Sequence, residues 1–307
     1  MPNIRPATQY IARMNRVEGL LLRDIYRVRA DFRREALDVI ATAGVKITTL
    51  PVIRGLVNNL RLKIQQINNT HKQKIDEITA WYMNQQLGSL RSIGEKRLPN
   101  IQQLNLETYT ERSQIYENVM AGSMLWIDSL SANMQTNLTR LAATGASVES
   151  AISRLFSVGI TDGRASVFRL SGVAAEQQVK TNLWTTTTLS VFGLFGATSR
   201  HTGTVYQKQW ISAIDHKTTD CCLQAHGQIQ PLDKPFHLTG EPRFSDFVDS
   251  PPGHWNCRAA MSLYKPEMEE KGIPTAEMKD AADAELTARA TSGTRERIWP
   301  SSATSRR

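Results

Sequence analysis

Apolar residues recur every three or four positions through most of the first half of the chain, the spacing that gives a helix one buried stripe. Ile11, Met14, Val17, Leu21, Ile25, Val28 and Phe32 mark a first helix from Thr8 to Ala43, with Gly44 as its stop. Pro51 suits the entry to a second helix, Val52 to Gln86, which carries Leu56, Leu60, Ile64, Ile67, Ile75, Ile78, Trp81 and Tyr82. The polar run Gln65 to Lys74 is where that helix could break. A third helix is expected from Leu104 to Ala143, striped by Ile115, Val119, Leu125, Ile127, Leu130, Met134, Leu138 and Leu141. Ser147 is placed to cap a short helix through Leu155, closed by Gly159. Another helix covers Gly163 to Phe195, although its Thr-, Val- and Phe-rich half from Trp184 onward also fits a strand.

The pattern changes after Gly196, where Gly, Pro, His and Cys become frequent and the helical period is lost. Val205 to Ile214 alternates and reads as a strand, and Asp215 to Leu263 as short strands and ordered loops. Beyond Pro266 a charged helical patch runs through Thr287, followed by a Ser-, Thr-, Gly- and Arg-rich end with the composition of a disordered segment. The expected fold is therefore α+β and predominantly α-helical, with an extended N-terminal helical region and a small α+β C-terminal domain of short strands. Three parts follow: a long-helix region over 1–160, a compact domain over 161–265, and a charged, partly disordered tail over 266–307.

Composition narrows the function classes only modestly. A net charge of +8 favours acidic partners, nucleic acid first and an acidic protein surface second. Arg5, Arg13, Arg16, Arg23, Arg27, Arg29, Arg33 and Arg34 form the densest basic group, able to face DNA, to dock on an acidic protein, or simply to be solvated. No apolar stretch approaches the roughly 20 residues that span a bilayer, and Met1 to Arg16 lacks the pattern of a secretory leader. A chain made and assembled in the cytoplasm, with no membrane partner, is expected. Three cysteines, an odd number clustered late in the chain, argue against a disulfide-stapled secreted fold.

Two clusters carry the chemistry. The first runs from Trp210 through Asp215, Lys217, Thr218, Cys221, Cys222, His226 and Gly227; the second is Pro251-Pro252-Gly-His254-Trp-Asn-Cys257-Arg258. His254-x-x-Cys257 is a metal-type pair, and Cys222 and His226 could complete a Cys2His2 set for tetrahedral zinc, with Cys221 able to substitute for one of the four. Such a staple would suit a small, loop-rich module. Buried free thiols with a hydrogen-bonded histidine, or a Cys222–Cys257 disulfide, are the competing readings. Asp215 is expected to hold donors of its own loop, and Arg258 to pair with a carboxylate.

Together the two clusters resemble the signature of the Mu F-like head morphogenesis family of tailed bacteriophages. That family's first cluster reads Asp-x-Arg-Thr-Cys-x-x-Cys-x-x-x-x-Gly. Asp215, Thr218, Cys222 and Gly227 match it, with Lys217 in the Arg place, Thr219 in the place of the first Cys, and Trp210 ahead. Pro251, Pro252, His254, Cys257 and Arg258 match the second cluster, with Ala259 in the place of its last Cys. The resemblance covers Thr161 to Leu263. It implies a minor head protein of the virion, associated with the portal vertex and other head proteins, and with double-stranded DNA during packaging or ejection. It implies no catalytic residue, no enzyme activity and no required cofactor, structural zinc apart.

An enzyme is the rival class. No Gly-x-Gly-x-x-Gly, Walker-type loop, His-Glu-x-x-His or Gly-x-Ser-x-Gly occurs. Asp215, His216, His226, Glu241 and His254 could nonetheless build an acid–base site for a nuclease or a transferase acting on nucleic acid.

Overall fold

The computed structural model describes residues 4–157, 160–161, 164–239, 245–254, 257–269 and 275–292. The chain is α+β and predominantly helical, with long helices first and short antiparallel strands in the C-terminal part, as the periodicity predicts. The helices are α1 (Ile4–Ala43), α2 (Leu50–Ser92), α3 (Ile101–Ser123), α4 (Leu125–Ala143), α5 (Val148–Phe156), α6 (Val167–Thr202), α7 (Asp220–Gln224) and α8 (Thr275–Ser292). The strands are β1 (Ile160–Thr161), β2 (Arg164–Ala165), β3 (Gln207–Ser212), β4 (Ile229–Pro231), β5 (Phe236–His237), β6 (Phe247–Val248) and β7 (Ala259–Tyr264). Among the described residues no helix is long and apolar enough to cross a membrane.

Two compact units form, and neither is one continuous stretch of chain. One comprises Asn15–Asp76 and Gln114–Leu183; the other comprises Met1–Met14, Glu77–Ser113 and Trp184–Arg307. The division therefore differs from a linear one near residue 160, because α1, α2, α3 and α6 each contribute a segment to both units.

In the first of these units, Leu21, Ile25, Phe32 and Ala36 of α1 join Ile53, Val57, Leu60 and Ile64 of α2 in a core with Trp126, Ile127, Leu130, Met134 and Leu138 of α4. The polar run on α2 does not break that helix. Ile64, Asn68, His71 and Ile75 keep one buried stripe through it, and His71 Nε2 lies 3.1 Å from Asp24 Oδ2. The single helix expected from Leu104 to Ala143 is instead two, separated at Met124 next to the weak helix formers Gly122 and Ser123. After the break Met124 and Trp126 are buried, while Leu125 is exposed. Ser147 caps α5 as its sequence position suggests, accepting from the Ser150 amide at 3.2 Å.

In the second unit, the stretch from Trp184 that could have been strand is helix. Ser190 and Thr198 satisfy their hydroxyls on the carbonyls of Thr186 and Leu194, both at 2.8 Å, which lets hydroxyl-bearing residues sit buried inside α6. The central sheet has the order β4-β3-β7, all antiparallel. In its register Gln207 faces Tyr264 and Ser212 faces Ala259. Gln86 of α2 accepts from the Leu263 amide at 3.1 Å and from the Ser262 hydroxyl at 2.9 Å, and the Tyr82 hydroxyl donates to the Met261 carbonyl. Tyr82 in turn stacks on Tyr10 at 4.3 Å.

The segment beyond Pro266 is not simply a tail. It forms α8, which reaches Ser292 and buries Met278, Ala282 and Arg289 on one face. The composition-based expectation of disorder at the extreme C-terminus falls, from residue 293 on, outside the described residues.

Candidate functional site

The two clusters converge at one end of β3. Trp210 is fully buried on β3, with Nε1 donating to Ser212 Oγ at 2.9 Å and its ring meeting Phe236 edge-on at 5.2 Å. Ser212 Oγ donates to the Cys222 carbonyl at 2.6 Å and so ties the strand to α7. Lys208, also fully buried, projects its ammonium between Phe192 and Phe236, 5.0 Å from each ring, and donates to the Asp249 carbonyl at 2.7 Å. That bond anchors the chain just before Pro251 and Pro252, which are joined by a cis peptide bond. A Cβ added at Gly253 would lie 2.8 Å from the Leu238 side chain and 3.5 Å from the Trp210 ring, so Leu238 would have to shift to admit one.

Asp215 and Arg258 bind the clusters together. The carboxylate accepts from the Lys217 amide at 3.0 Å and the Thr218 hydroxyl at 3.3 Å, and forms an ion pair with Arg258 at 2.9 Å. Both roles expected of this pair are present. The Lys217 side chain itself is exposed. Gly227 has φ +80, the conformation that favours glycine, and a Cβ added there would stand 3.3–3.5 Å from atoms of Met278 and Thr275 on α8.

At the centre lie Cys222, His254 and Cys257, all buried. Cys222 Sγ is 2.9 Å from His254 Nε2 and 3.5 Å from Cys257 Sγ. Cys221, Cys222 and His254 place their donor atoms within 4.8 Å of one another. Thr219, in the position where the phage family has a cysteine, sits 2.6 Å from His254 Nε2 and 3.3 Å from Cys221 Sγ. Thiolate character concentrates on the outer two thiols. Hydrogen bonding from Cys222, reinforced by His254, pulls Cys221 down from the ordinary thiol range. Burial pushes Cys257 up, but hydrogen bonds from Cys222 and His254 outweigh it. Cys222, the donor to both neighbours, is pushed well up.

His226 is not part of this group, which corrects the Cys2His2 expectation. Its Nδ1 accepts from the Ser212 amide at 2.9 Å, and α7 ends at Gln224, before His226. Cys221 takes its place. Three thiols and one imidazole suit tetrahedral zinc, for which bonds of about 2.3 Å imply sulfur–sulfur separations of about 3.8 Å. Cys222 and Cys257 are 3.5 Å apart, but Cys257 lies outside the group whose donor atoms are all within 4.8 Å of one another, so it would have to move in to complete the four.

No protein-family model, curated protein or solved structure matches this chain.

Sequence reasoning missed the clamp on this centre. Arg289 of α8 donates to the Thr218 carbonyl at 2.8 Å, the Asp215 carbonyl at 2.6 Å and the Asp220 carboxylate at 2.7 Å. The available signal was the line Met278, Ala282 and Arg289, spaced four and seven apart on one helix face.

Burial holds the His226 pKa down at about 4, so the folded protein keeps a neutral ring. The unfolded chain binds a proton below about pH 6.5. Stability is therefore fully present above that value and is lost as pH falls toward 4, by about 3 kcal/mol from this residue. Urea midpoints measured from pH 7 to 4 should show the loss in wild type and a flatter profile in His226→Asn, with zinc content the same in both. Equal profiles would dismiss the assignment.

Proposed function

We propose that the chain is a minor head protein of a tailed bacteriophage, acting at the portal vertex during head assembly, with its C-terminal module pinned by zinc on Cys221, Cys222, His254 and Cys257. The observation that supports this reading is the meeting of two sequence clusters some 35 residues apart in one buried centre, tied by the Asp215–Arg258 ion pair. Those are the residues on which the family resemblance rests. The zinc would be structural, because all its donors are buried protein atoms. The function is assembly by surface complementarity, in the virion and in the host cytoplasm while heads form.

The enzyme alternative is less favoured by the geometry. Asp215 is bound to Arg258, His226 to a backbone amide, and His254 to Thr219 and Cys222, so these groups serve the packing rather than an open acid–base pair. Glu241 lies outside the described residues. Co-elution of the purified chain with the portal protein of the same phage at physiological salt is the expected result. Absence of portal binding together with cleavage of added DNA would replace this reading with the nuclease.

A further inference from the structure

The first of the two units holds a groove of about 440 Å³ lined by α4, α5 and α6. The lining from α4 is polar. Ser129, Asn133 and Asn137 follow one another at intervals of four residues and so share one face of that helix. The lining from α6 is apolar, with Val167, Leu170 and Ala174 at intervals of three and four. Leu170 is 59% exposed although it lines a concave surface. Arg154 of α5 stands beside Asn137, its Nε donating to Asn137 Oδ1 at 3.2 Å.

The groove is electropositive. No carboxylate lines it among the described residues, and Arg154 makes no ion pair there. A second guanidinium stands behind the lining. Arg29 of α1 is buried, donating to Ser171 Oγ at 3.2 Å and to the Phe168 carbonyl at 2.7 Å, with its charge 5.0 Å from the centre of the Trp126 ring. Ser171 and Trp126 both line the groove. Gly172 leaves room for this group, since a Cβ there would stand 2.8 Å from Arg29 Nη2. Burial lowers the Arg29 pKa to about 10, which leaves the group charged at neutral pH. Buried charges are generally paired, yet no carboxylate pairs with Arg29 among the described residues. The groove therefore offers two cations and no anion.

We infer that this groove binds a short, extended peptide segment that presents a carboxylate, from its C-terminus or from an acidic side chain, to Arg154. Four residues of helix rise about 6 Å, and two residues of extended chain advance about 6.6 Å. Asn133 and Asn137 thus meet equivalent peptide groups of a strand laid along α4. Each keeps a second amide N–H for that purpose: Asn133 spends one on Ser129 Oγ at 3.3 Å, and Asn137 spends one on the Asn133 carbonyl at 2.8 Å. Alternate side chains of the strand turn to the apolar lining, where Leu170 and Val167 receive them. The run from Ser129 to Asn137 is about 12 Å, the length of about four extended residues. Charge selects the remaining group, because a guanidinium takes a carboxylate in forked geometry and Arg29 adds its field from behind. No residue of the zinc centre takes part, and the inference holds whether or not the chain binds a portal.

The test is an array of random hexapeptides of uncharged residues, each made with a free C-terminal carboxylate, as the C-terminal amide, and as the amide with one Glu. The full chain is applied, and the best binders are followed in solution by fluorescence anisotropy. The free acid or the Glu form should bind at least about tenfold more tightly than the neutral amide, the effect of one charge-assisted pair. A preference for the free acid assigns the carboxylate to a chain end, and a preference for the Glu form assigns it to a side chain. Arg154→Gln, at an exposed site, should remove the preference with an unchanged unfolding midpoint, and Asn133→Ala should weaken all three forms. Arg140→Gln is the control: Arg140 also donates to Asn137, at 3.1 Å, but does not line the groove, so this variant should bind like wild type. Equal losses in Arg154→Gln and Arg140→Gln would overturn the inference. So would a neutral amide that binds as tightly as its charged counterparts, or an array on which no peptide holds the chain.

Discussion

Cys222→Ala is expected to abolish zinc binding and to destabilise the C-terminal module by several kcal/mol. Cys222 is the residue through which the other donors meet: its sulfur lies 2.9 Å from His254 and 3.5 Å from Cys257, and Cys221 precedes it on α7. Structural zinc contributes apparent free energies on the order of 10–16 kcal/mol to small domains, and that binding energy is folding energy. Removing the central sulfur leaves three donors and an ion without a closed shell. The measurement is metal content by mass spectrometry, beside thermal unfolding with and without a strong chelator. Wild type should carry about one zinc per chain and lose its upper transition on chelation, whereas Cys222→Ala should be metal-free and insensitive to the chelator. A metal-free wild type whose midpoint matches those of Cys222→Ala, His254→Ala and Cys257→Ser would remove the staple from the account.

Arg289→Ala carries the second large effect. The guanidinium, on the C-terminal helix, closes the turn that carries Asp215 to Asp220 through two carbonyls and one carboxylate. It is only 10% exposed. Truncation leaves the Thr218 and Asp215 carbonyls without this donor in a confined space, and a loss of about 3 kcal/mol follows for hydrogen bonds made by a charged group. Arg289→Lys should recover only part of it, because a single ammonium cannot reproduce the fork. Urea unfolding of the three proteins, read with a zinc-release assay, checks this. The weaker clamp should speed zinc release as well as lower stability, and a variant with unchanged release would confine Arg289 to α8.

Much of the helical layout was legible because burial of one face imposes a period, and α1 and α2 kept it over 40 and 43 residues. The break at Met124 was not, since the apolar stripe runs past it and Gly122 and Ser123 are only weak helix formers, with no proline to stop the helix. In the site, His254, Cys257 and Cys222 stood out from their spacing. His226 misled because a spacing of four implies one helix face, and α7 stops at Gln224 before that face is continued. Cys221 was undervalued because adjacent helical residues point apart, yet α7 is short enough for both sulfurs to reach His254. The α8 clamp was hidden in a segment whose composition resembles a solvated tail. Its contacts are with chain some 70 residues away, and the line Met278, Ala282 and Arg289 marks a buried face without naming what it meets.

The bonds that Tyr82 and Gln86 make to β7 have one further consequence. A three-stranded sheet has two open margins, and each is a template on which a strand from another chain can be laid down. One margin here, β4, is three residues long. The other, β7, has its outward Met261 carbonyl and Leu263 amide already occupied by side chains of a helix. Copies of this protein crowded at high local concentration would therefore find little free backbone with which to stack sheet on sheet.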